Sequence, residues 1–261
     1  VTDLDPGAIA RALDRIGAPI GRPLVVRDVT GSTNDDARAA AAAGAPHGAA
    51  FVADAQTRGR GRGGHTWHSP PGENLYLSVL LRPRVPAASV APVTLAAGVA
   101  VARVIEAIAG GRAPVWVKWP NDVLAGDRRK LAGVLVEGQL RGDTVASLVV
   151  GAGVNVRATS FPPEIAGRAT SLALLGCDGL DRSAIAAALI AAIGSAVARF
   201  EVDRLASFHD DLARLDGLRG APVEVAGVRG VAEGIDREGR LLVRPDGGEV
   251  EAVVSGEVTA A

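Results

Sequence analysis

The chain is poor in the residues that staple or metallate a small fold. Its 261 residues include one cysteine, Cys177, four histidines and no methionine. A lone cysteine excludes an internal disulfide, and with scattered histidines it offers no zinc-ligand spacing. Charge of one sign is lacking too: 28 Lys+Arg stand against 29 Asp+Glu, a formal net charge of -1. Bulk electrostatics therefore draws the protein neither to nucleic acid nor to anionic membrane, and any basic chemistry must be local. The N-terminus, from Val1 through Asp3 and Asp5 to Pro6, has no basic segment followed by an apolar run, so no secretory leader is expected and a reducing cytoplasm is the expected setting. One uncharged stretch, residues 85–102, approaches the length of a membrane span, but Pro86, Ser89, Pro92 and Thr94 interrupt an Ala-rich run. A buried helix is expected there, with no membrane association.

At 48% hydrophobic and 22% charged the composition is that of a globular protein, and the length suits one large domain with a small appendage. Aromatics make up only 3%, so close-packed Ala, Val and Leu must build the core, and each of the three Trp calls for a reason. Periodicity and breakers predict helices over 4–16, 92–108 and about 182–215, and another whose Ala-rich run spans 37–43 behind a cap at Ser32 or Thr33. Strands are predicted over 24–29, 49–53, 74–81, 115–118, 122–125, 130–140 and 144–150. Gly126-Asp127 and Arg141-Gly142-Asp143 have the chemistry of hairpin turns. Trp119-Pro120 interrupts a β run, so that segment cannot be a plain central strand. From residue 217 onward the pattern becomes short alternating runs separated by Gly, Asp and Pro, as in a small β-barrel docked on a larger unit. The expected fold class is α+β, with a mixed, chiefly antiparallel sheet over residues 1–216 and a small β unit over 217–261.

Residues 56–67 carry the strongest local signal. Gly59, Gly61 and Gly64 satisfy G-x-G-x-x-G after a predicted strand, yet His65-Thr66-Trp67-His68-Ser69-Pro70-Pro71 cannot open the helix that a dinucleotide-binding turn requires. The same segment misses a P-loop because His65 stands where the phosphate-binding Lys belongs. Three arginines interleaved with four glycines still suit anions: glycine lets backbone approach a ligand, and guanidinium is a fork of donors for carboxylate or phosphate. A soluble hairpin loop or an RGG-type RNA tract is the bland alternative. Such tracts work as tandem copies with excess positive charge, and this chain has one copy.

Five segments in order resemble the biotin protein ligases. They are Gly31-Ser32-Thr33-Asn34; Gln56 with Gly59-Arg60-Gly61-Arg62-Gly63-Gly64 and Trp67; Lys118-Trp119-Pro120-Asn121-Asp122; Lys130-Leu131-Ala132-Gly133-Val134-Leu135-Val136-Glu137; and Gly151-Ala152-Gly153-Val154-Asn155. The resemblance implies a class II synthetase-like catalytic domain with an SH3-like C-terminal barrel. It also implies condensation of biotin with ATP to biotinyl-5'-AMP, with Mg2+ accompanying the nucleotide, and transfer of the biotinyl group to a lysine of a biotin carboxyl carrier protein. By the same resemblance Ser32, Thr33 and Gln56 surround the ureido head of biotin. Arg60, Gly61 and Arg62 contact biotin and the adenylate phosphate, Lys130 reaches the carboxylate and the bridging oxygen, Trp67 stacks on adenine and Asn155 touches the nucleotide. Asn34, Gly59, Asn121 and Gly133 join the binding set, and Lys118 and Asp122 join Lys130 and Arg62 as catalytic candidates.

Each residue also has a plainer reading. Ser32 and Thr33 can cap the helix that follows, with Asp35 and Asp36 in its first turn. Gln56 can be an exposed strand end, Trp67 a core residue, Asn155 a turn residue, and Lys130 part of a solvated cluster with Arg128 and Arg129. A carboxylate among cations is a poor base but a good orienting acceptor, so Asp122 is expected to orient the attacking lysine rather than deprotonate it. About 30 residues precede Ser32, too few for the winged helix-turn-helix that makes some relatives repressors, so no DNA binding is expected. A homodimer through an exposed sheet edge is a further expectation. The rival readings are a lipoate or octanoyl ligase of the same superfamily and a non-catalytic nucleotide-binding module.

Overall fold

The computed structural model describes residues 3–260. Val1 and Thr2, where the segment read for a leader begins, and Ala261 lie outside the described residues. In chain order the elements are α1 (Pro6–Arg15), β1 (Leu24–Thr30), α2 (Thr33–Ala42), β2 (Ala50–Gln56), β3 (Leu75–Leu81), α3 (Val90–Ala109), β4 (Val115–Lys118), β5 (Asp122–Ala125), β6 (Arg129–Arg141), β7 (Thr144–Val154), α4 (Pro163–Ala166), α5 (Arg182–Asp203), α6 (His209–Leu215), β8 (Pro222–Val225), β9 (Val228–Ile235), β10 (Leu241–Arg244), β11 (Glu251–Val253) and β12 (Thr259–Ala260). The fold class is α+β, as the sequence pattern predicts.

The main sheet has seven strands in the order β1-β2-β3-β7-β6-β5-β4. Only β1 and β2 run parallel, because α2 carries the chain between them; the other pairs are antiparallel and hairpin-linked or adjacent. The sheet is covered on both faces. The long helices α3 and α5 pack together under one face, contributing Val93, Val99, Ile105, Ile190 and Ile193 to the main core. Both are long and apolar enough to cross a membrane by length and composition, yet each is largely buried within the protein, as the expectation of a buried helix requires. On the opposite face α2 packs through a small separate cluster of Ala37, Phe51, Leu80 and Val149. That face is left open beside α2, and the site forms there.

The second sheet, in the order β11-β10-β9-β8-β12, is wholly antiparallel. Its apolar residues Val223, Val225, Leu241 and Val243 join the same core cluster as the main sheet. Trp119, almost fully buried, ties the two sheets by donating its indole N–H to the Gly239 carbonyl at 2.9 Å. This is the reason for one of the three tryptophans. A second, Trp116, lies under the Arg128 guanidinium at 4.8 Å, while Arg128 also donates to the Gly217 carbonyl.

Several boundaries differ from the sequence reading, among them the end of β2, which runs to Gln56 and not to residue 53. Strand β7 continues past Val150 to Val154, although its last residues are glycine-rich. Helix α2 begins at Thr33 with Ser32 at the N-cap position and Asp35 and Asp36 in its first turn, as the capping reading requires, although the Ser32 side chain makes no capping bond. The helical region over 182–215 is broken after Asp203, where Arg204 adopts φ 54°.

Candidate active site

In an antiparallel sheet, residues directly opposite one another share a face. Register therefore lays out the floor of the site. Gly151 sits between Ser78 on β3 and Leu135 on β6, and Gly153 sits between Tyr76 and Gly133. One row along, Val149 lies between Leu80 and Glu137. Since Leu80 and Val149 belong to the cluster under α2, all these residues face the open side.

The glycines exist for what lies over them. A Cβ on Gly151 would stand 2.1 Å from Asn34 Oδ1, and one on Gly153 would stand 2.5 Å from both Cε2 and Nε1 of the Trp67 ring. A Cβ on Gly133 would meet Trp67 Cζ3 at 3.0 Å, Lys130 Cε at 3.3 Å and Asp122 Oδ1 at 3.6 Å. Two facing glycines thus make a flat saddle for the third tryptophan. Sequence rules count these glycines against a strand, and here they are the strand's functional face.

Lys130 reaches this face through a backbone irregularity. The β5–β6 register pairs Asp122 with Gly133 and Val123 with Ala132, then slips so that Leu124 pairs with Lys130. The extra residue, Leu131, is fully buried. A bulge turns the strand over, so Lys130 emerges beside Asp122 and not in the core. Its Nζ lies 2.7 Å from Asp122 Oδ1 and 5.2 Å from the Trp67 ring centroid. The reading of Lys130 as one more solvated charge does not describe this environment.

Residues 59–67 form a small hairpin: Gly61 N–H donates to the His65 carbonyl and Trp67 N–H to the Gly59 carbonyl, with Gly63 and Gly64 at positive φ. Gly59 has no room for a side chain, since a Cβ would lie 2.5 Å from Ser69 Oγ and from the Trp67 carbonyl oxygen. The two arginines of the hairpin diverge. Arg62 donates to the Gly256 carbonyl at 2.6 Å and so reaches the segment joining β11 to β12. Arg60 instead donates to Asp35 at 2.7 Å and to Glu137 at 3.1 Å. The hydrogen bond to Asp35 raises the Arg60 guanidinium above its ordinary value.

Two connected hollows result. A narrow slot is lined by Ser32, Thr33, Asn34, Gln56, Arg60 and the glycine floor. It opens past Gly61, Trp67, Asn121 and Lys130 into a cleft of about 700 Å³. The cleft is lined by Arg62, Lys118, Asp122, Lys130, Asn155 and, from the second sheet, by Val223 and Val258. Arg128 and Arg168 add two cations that the sequence reading did not select. Their signal was only proximity to Lys130 in the chain for Arg128, and nothing for Arg168, whose carbonyl accepts from Lys130 N–H at 2.7 Å.

The polar residues of the slot form one chain. Thr33 hydroxyl and backbone N–H face Gln56 Oε1 at 3.3 and 2.9 Å, and Gln56 Nε2 donates to Ser69 Oγ at 3.1 Å. Ser78 Oγ, fully buried, lies 2.8 Å from Thr33 Oγ1 and 2.6 Å from Asn34 Oδ1. Thr33 therefore stands in the first turn of α2, lining the slot, while Ser32 holds the N-cap position. Asn121 and Asn155 have architectural duties as well: Asn121 Nδ2 donates to the Val134 carbonyl at 3.0 Å, and Asn155 Nδ2 to the Thr170 carbonyl at 2.9 Å. Among the described residues no group of three or more His, Cys, Asp or Glu is arranged to hold a metal.

Comparison with known proteins accounts for both sheets. Residues 28–155 match the model of the biotin/lipoate A/B protein ligase family, and residues 222–259 match that of the biotin protein ligase C terminal domain. The chain is 38% identical over 252 residues to a biotin--[acetyl-CoA-carboxylase] ligase of Mycobacterium tuberculosis, covering 93% of this chain and 91% of the relative. A bifunctional ligase/repressor of Bacillus spizizenii is 39% identical over 185 residues; the match covers 69% of this chain and 56% of that protein's length. Among solved structures, the Aquifex aeolicus biotin protein ligase in complex with biotin and ATP superposes with a TM-score of 0.76 at 29% identity, covering 90% of this chain and 97% of that one. With a relative aligned over nine tenths of both chains and family models matched over both sheets, the chain belongs to the biotin protein ligase family.

Proposed function

We propose that the protein condenses biotin with ATP to give biotinyl-5'-AMP and pyrophosphate, then transfers the biotinyl group to a lysine of a biotin carboxyl carrier protein. One observation carries this reading: Arg62, Lys118 and Lys130, from three separate segments, line a single cleft that continues into a slot of hydroxyl and amide groups. The slot suits the ureido head, whose N–H donors and carbonyl acceptor need partners such as Thr33 and Gln56. The cleft suits the other end, where the biotin carboxylate attacks the α-phosphorus and pyrophosphate leaves. That step drives one anion onto another, and fixed cations aimed at the developing charge lower its barrier. Lys130 stands where the two hollows meet, so it is the residue proposed to face the carboxylate and the phosphoryl oxygens together.

In the second step the neutral amine of the acceptor lysine attacks the carboxyl carbon of the anhydride and AMP departs. Asp122 is proposed to orient that amine. Trp67 is proposed to stack on adenine, with Asn155 near the nucleotide. Magnesium is proposed to enter with the triphosphate, held mainly by phosphate oxygens. Residues 1–216 are proposed as the catalytic unit and 217–261 as a smaller unit that completes the cleft, in a reducing cytoplasm where the buried thiol of Cys177 stays free.

The test is pyrophosphate release by purified protein supplied with ATP, Mg2+ and, in separate reactions, biotin, lipoate or octanoate. Release with biotin alone is expected, because an aliphatic acid leaves the buried hydroxyls and amides of the slot without partners. Equal release with lipoate or octanoate, or none with any acid, would overturn the proposal.

A further inference from the structure

Glu137 ends the longest of the sequence motifs, yet neither the proposed substrate contacts nor the proposed chemistry uses it. Its carboxylate holds three groups at once: Arg38 of α2, which donates from Nη1 to Oε1 at 3.2 Å, and two that belong to the site. Oε2 accepts from Asn34 Nδ2 at 2.6 Å, and both oxygens accept from Arg60 Nη2 at 3.1 and 3.2 Å. Asn34 is 4% exposed and its other amide atom, Oδ1, accepts from the fully buried Ser78 hydroxyl. Ser78 in turn touches Thr33, and Thr33 touches Gln56. On the other side, Arg60 belongs to the glycine–arginine hairpin, which Asp35 of α2 grips as well.

We propose that Glu137 is a positioning residue: it couples the polar end of the slot, through Asn34, to the anchoring of the 59–67 hairpin, through Arg60. The inference rests on the reading of the slot as the biotin site. A carboxylate is the one group able to do both jobs, because it accepts from a neutral amide and a guanidinium at the same time and offsets the latter's charge. Without it, Asn34 is free to flip its amide and reverse the donor and acceptor offered to Ser78, and Arg60 keeps only Asp35. The charge on Arg60 is then spent on holding the hairpin, and Arg62, Lys118 and Lys130 are left to meet the anions.

Glu137→Gln preserves shape and removes the charge. The expected result is a rise of about tenfold or more in the KM for biotin and a similar acceleration of adenylate release, the fold-change typical of losing a charge-assisted hydrogen bond. The transfer rate measured from adenylate still on the enzyme should stay within about twofold, since no reacting atom is touched. Two further variants separate coupling from damage to the fold. Asp35→Asn weakens the ion pairs of Arg60 and Arg38 with α2 but leaves the Glu137–Asn34 bond in place, so it should speed adenylate release while leaving the biotin KM nearly unchanged. In a double variant, Arg60→Gln with Glu137→Gln, adenylate release should be no faster than in Arg60→Gln alone, because both changes act through one contact. Unchanged KM and release in Glu137→Gln, or strictly additive release rates in the double variant, would overturn the inference. If the unaltered protein releases no pyrophosphate with biotin, it is the function reading that fails, and the two failures are distinguishable.

Discussion

Replacing Gly151 with alanine adds a single methyl group to the floor of the slot. The backbone of β7 accepts alanine, since Gly151 is not at positive φ. The obstacle is Asn34, whose Oδ1, Cγ and Nδ2 would lie 2.1, 2.9 and 3.2 Å from the new Cβ. Ordinary contact begins near 3.4 Å, so the amide must retreat by roughly 1 Å, well beyond what van der Waals softness absorbs. It cannot retreat freely, being bonded to Ser78 on one side and Glu137 on the other. Overpacking of this kind costs about 1–3 kcal/mol, and breaking a bond to a charged group adds about 1.5–3 kcal/mol, for a sum on the order of 2–6 kcal/mol. In a protein of this size that lowers the thermal midpoint by roughly 5–20 °C. Scanning calorimetry with and without saturating biotin is the assay. The ligand-induced rise in midpoint should shrink in Gly151→Ala as well as the midpoint itself, because the displaced amide belongs to the slot. A midpoint within about 2 °C of the parent and an undiminished biotin-induced rise would refute the packing argument.

Further outcomes follow from the same geometry. Lys130→Ala should slow pyrophosphate release by about 10²–10³-fold by removing a cation at the meeting point of slot and cleft; near-normal release would remove Lys130 from the mechanism. Arg62→Gly cuts the hairpin's bond to Gly256, so the adenylate should escape and label bystander proteins, which a streptavidin blot of a mixed protein sample would detect. A variant that keeps its label on the carrier protein would contradict that role. Burial raises the pKa of Asp216, despite hydrogen bonds from Leu218 and Arg219 N–H. The folded state therefore holds its proton to higher pH than the unfolded state, and stability is lost as pH rises from the unfolded value through the folded one. Asp216→Asn should accordingly be more stable than the parent at pH 7, with the advantage vanishing below about pH 4. A constant gap across that range would show that the carboxylate is not the cause.

The antiparallel middle of the main sheet was legible in the sequence because its hairpins carry explicit turn chemistry: β4 and β5 fall where alternation and Gly126-Asp127 put them. The end of β7 was not legible. Gly151 and Gly153 argue locally for a turn, and only the side chains of Asn34 and Trp67, distant in sequence, explain why a strand there must lack its own side chains. Lys130 could be picked out as the start of an apolar strand, but the bulge at Leu131 that turns it toward Asp122 is a property of strand pairing and has no local signature. Arg60 and Arg62 look equivalent in a Gly-Arg repeat. Their separation into a hairpin anchor and a cleft residue depends on Asp35 and Glu137, which reach the hairpin from α2 and β6. Ser32 had a plausible local role as a cap, and the helix does start beside it, yet its side chain makes no capping bond.

The central claim is that one hollow reads the ureido head while the next neutralises the charge made during activation. A crystal structure of the protein with biotinyl-5'-AMP tests it most directly. The account predicts the ureido group within hydrogen-bond distance of Thr33 or Gln56 and the phosphate between Arg62 and Lys130. An intermediate bound with its phosphate away from both cations, or with its ring system outside the slot, would contradict it.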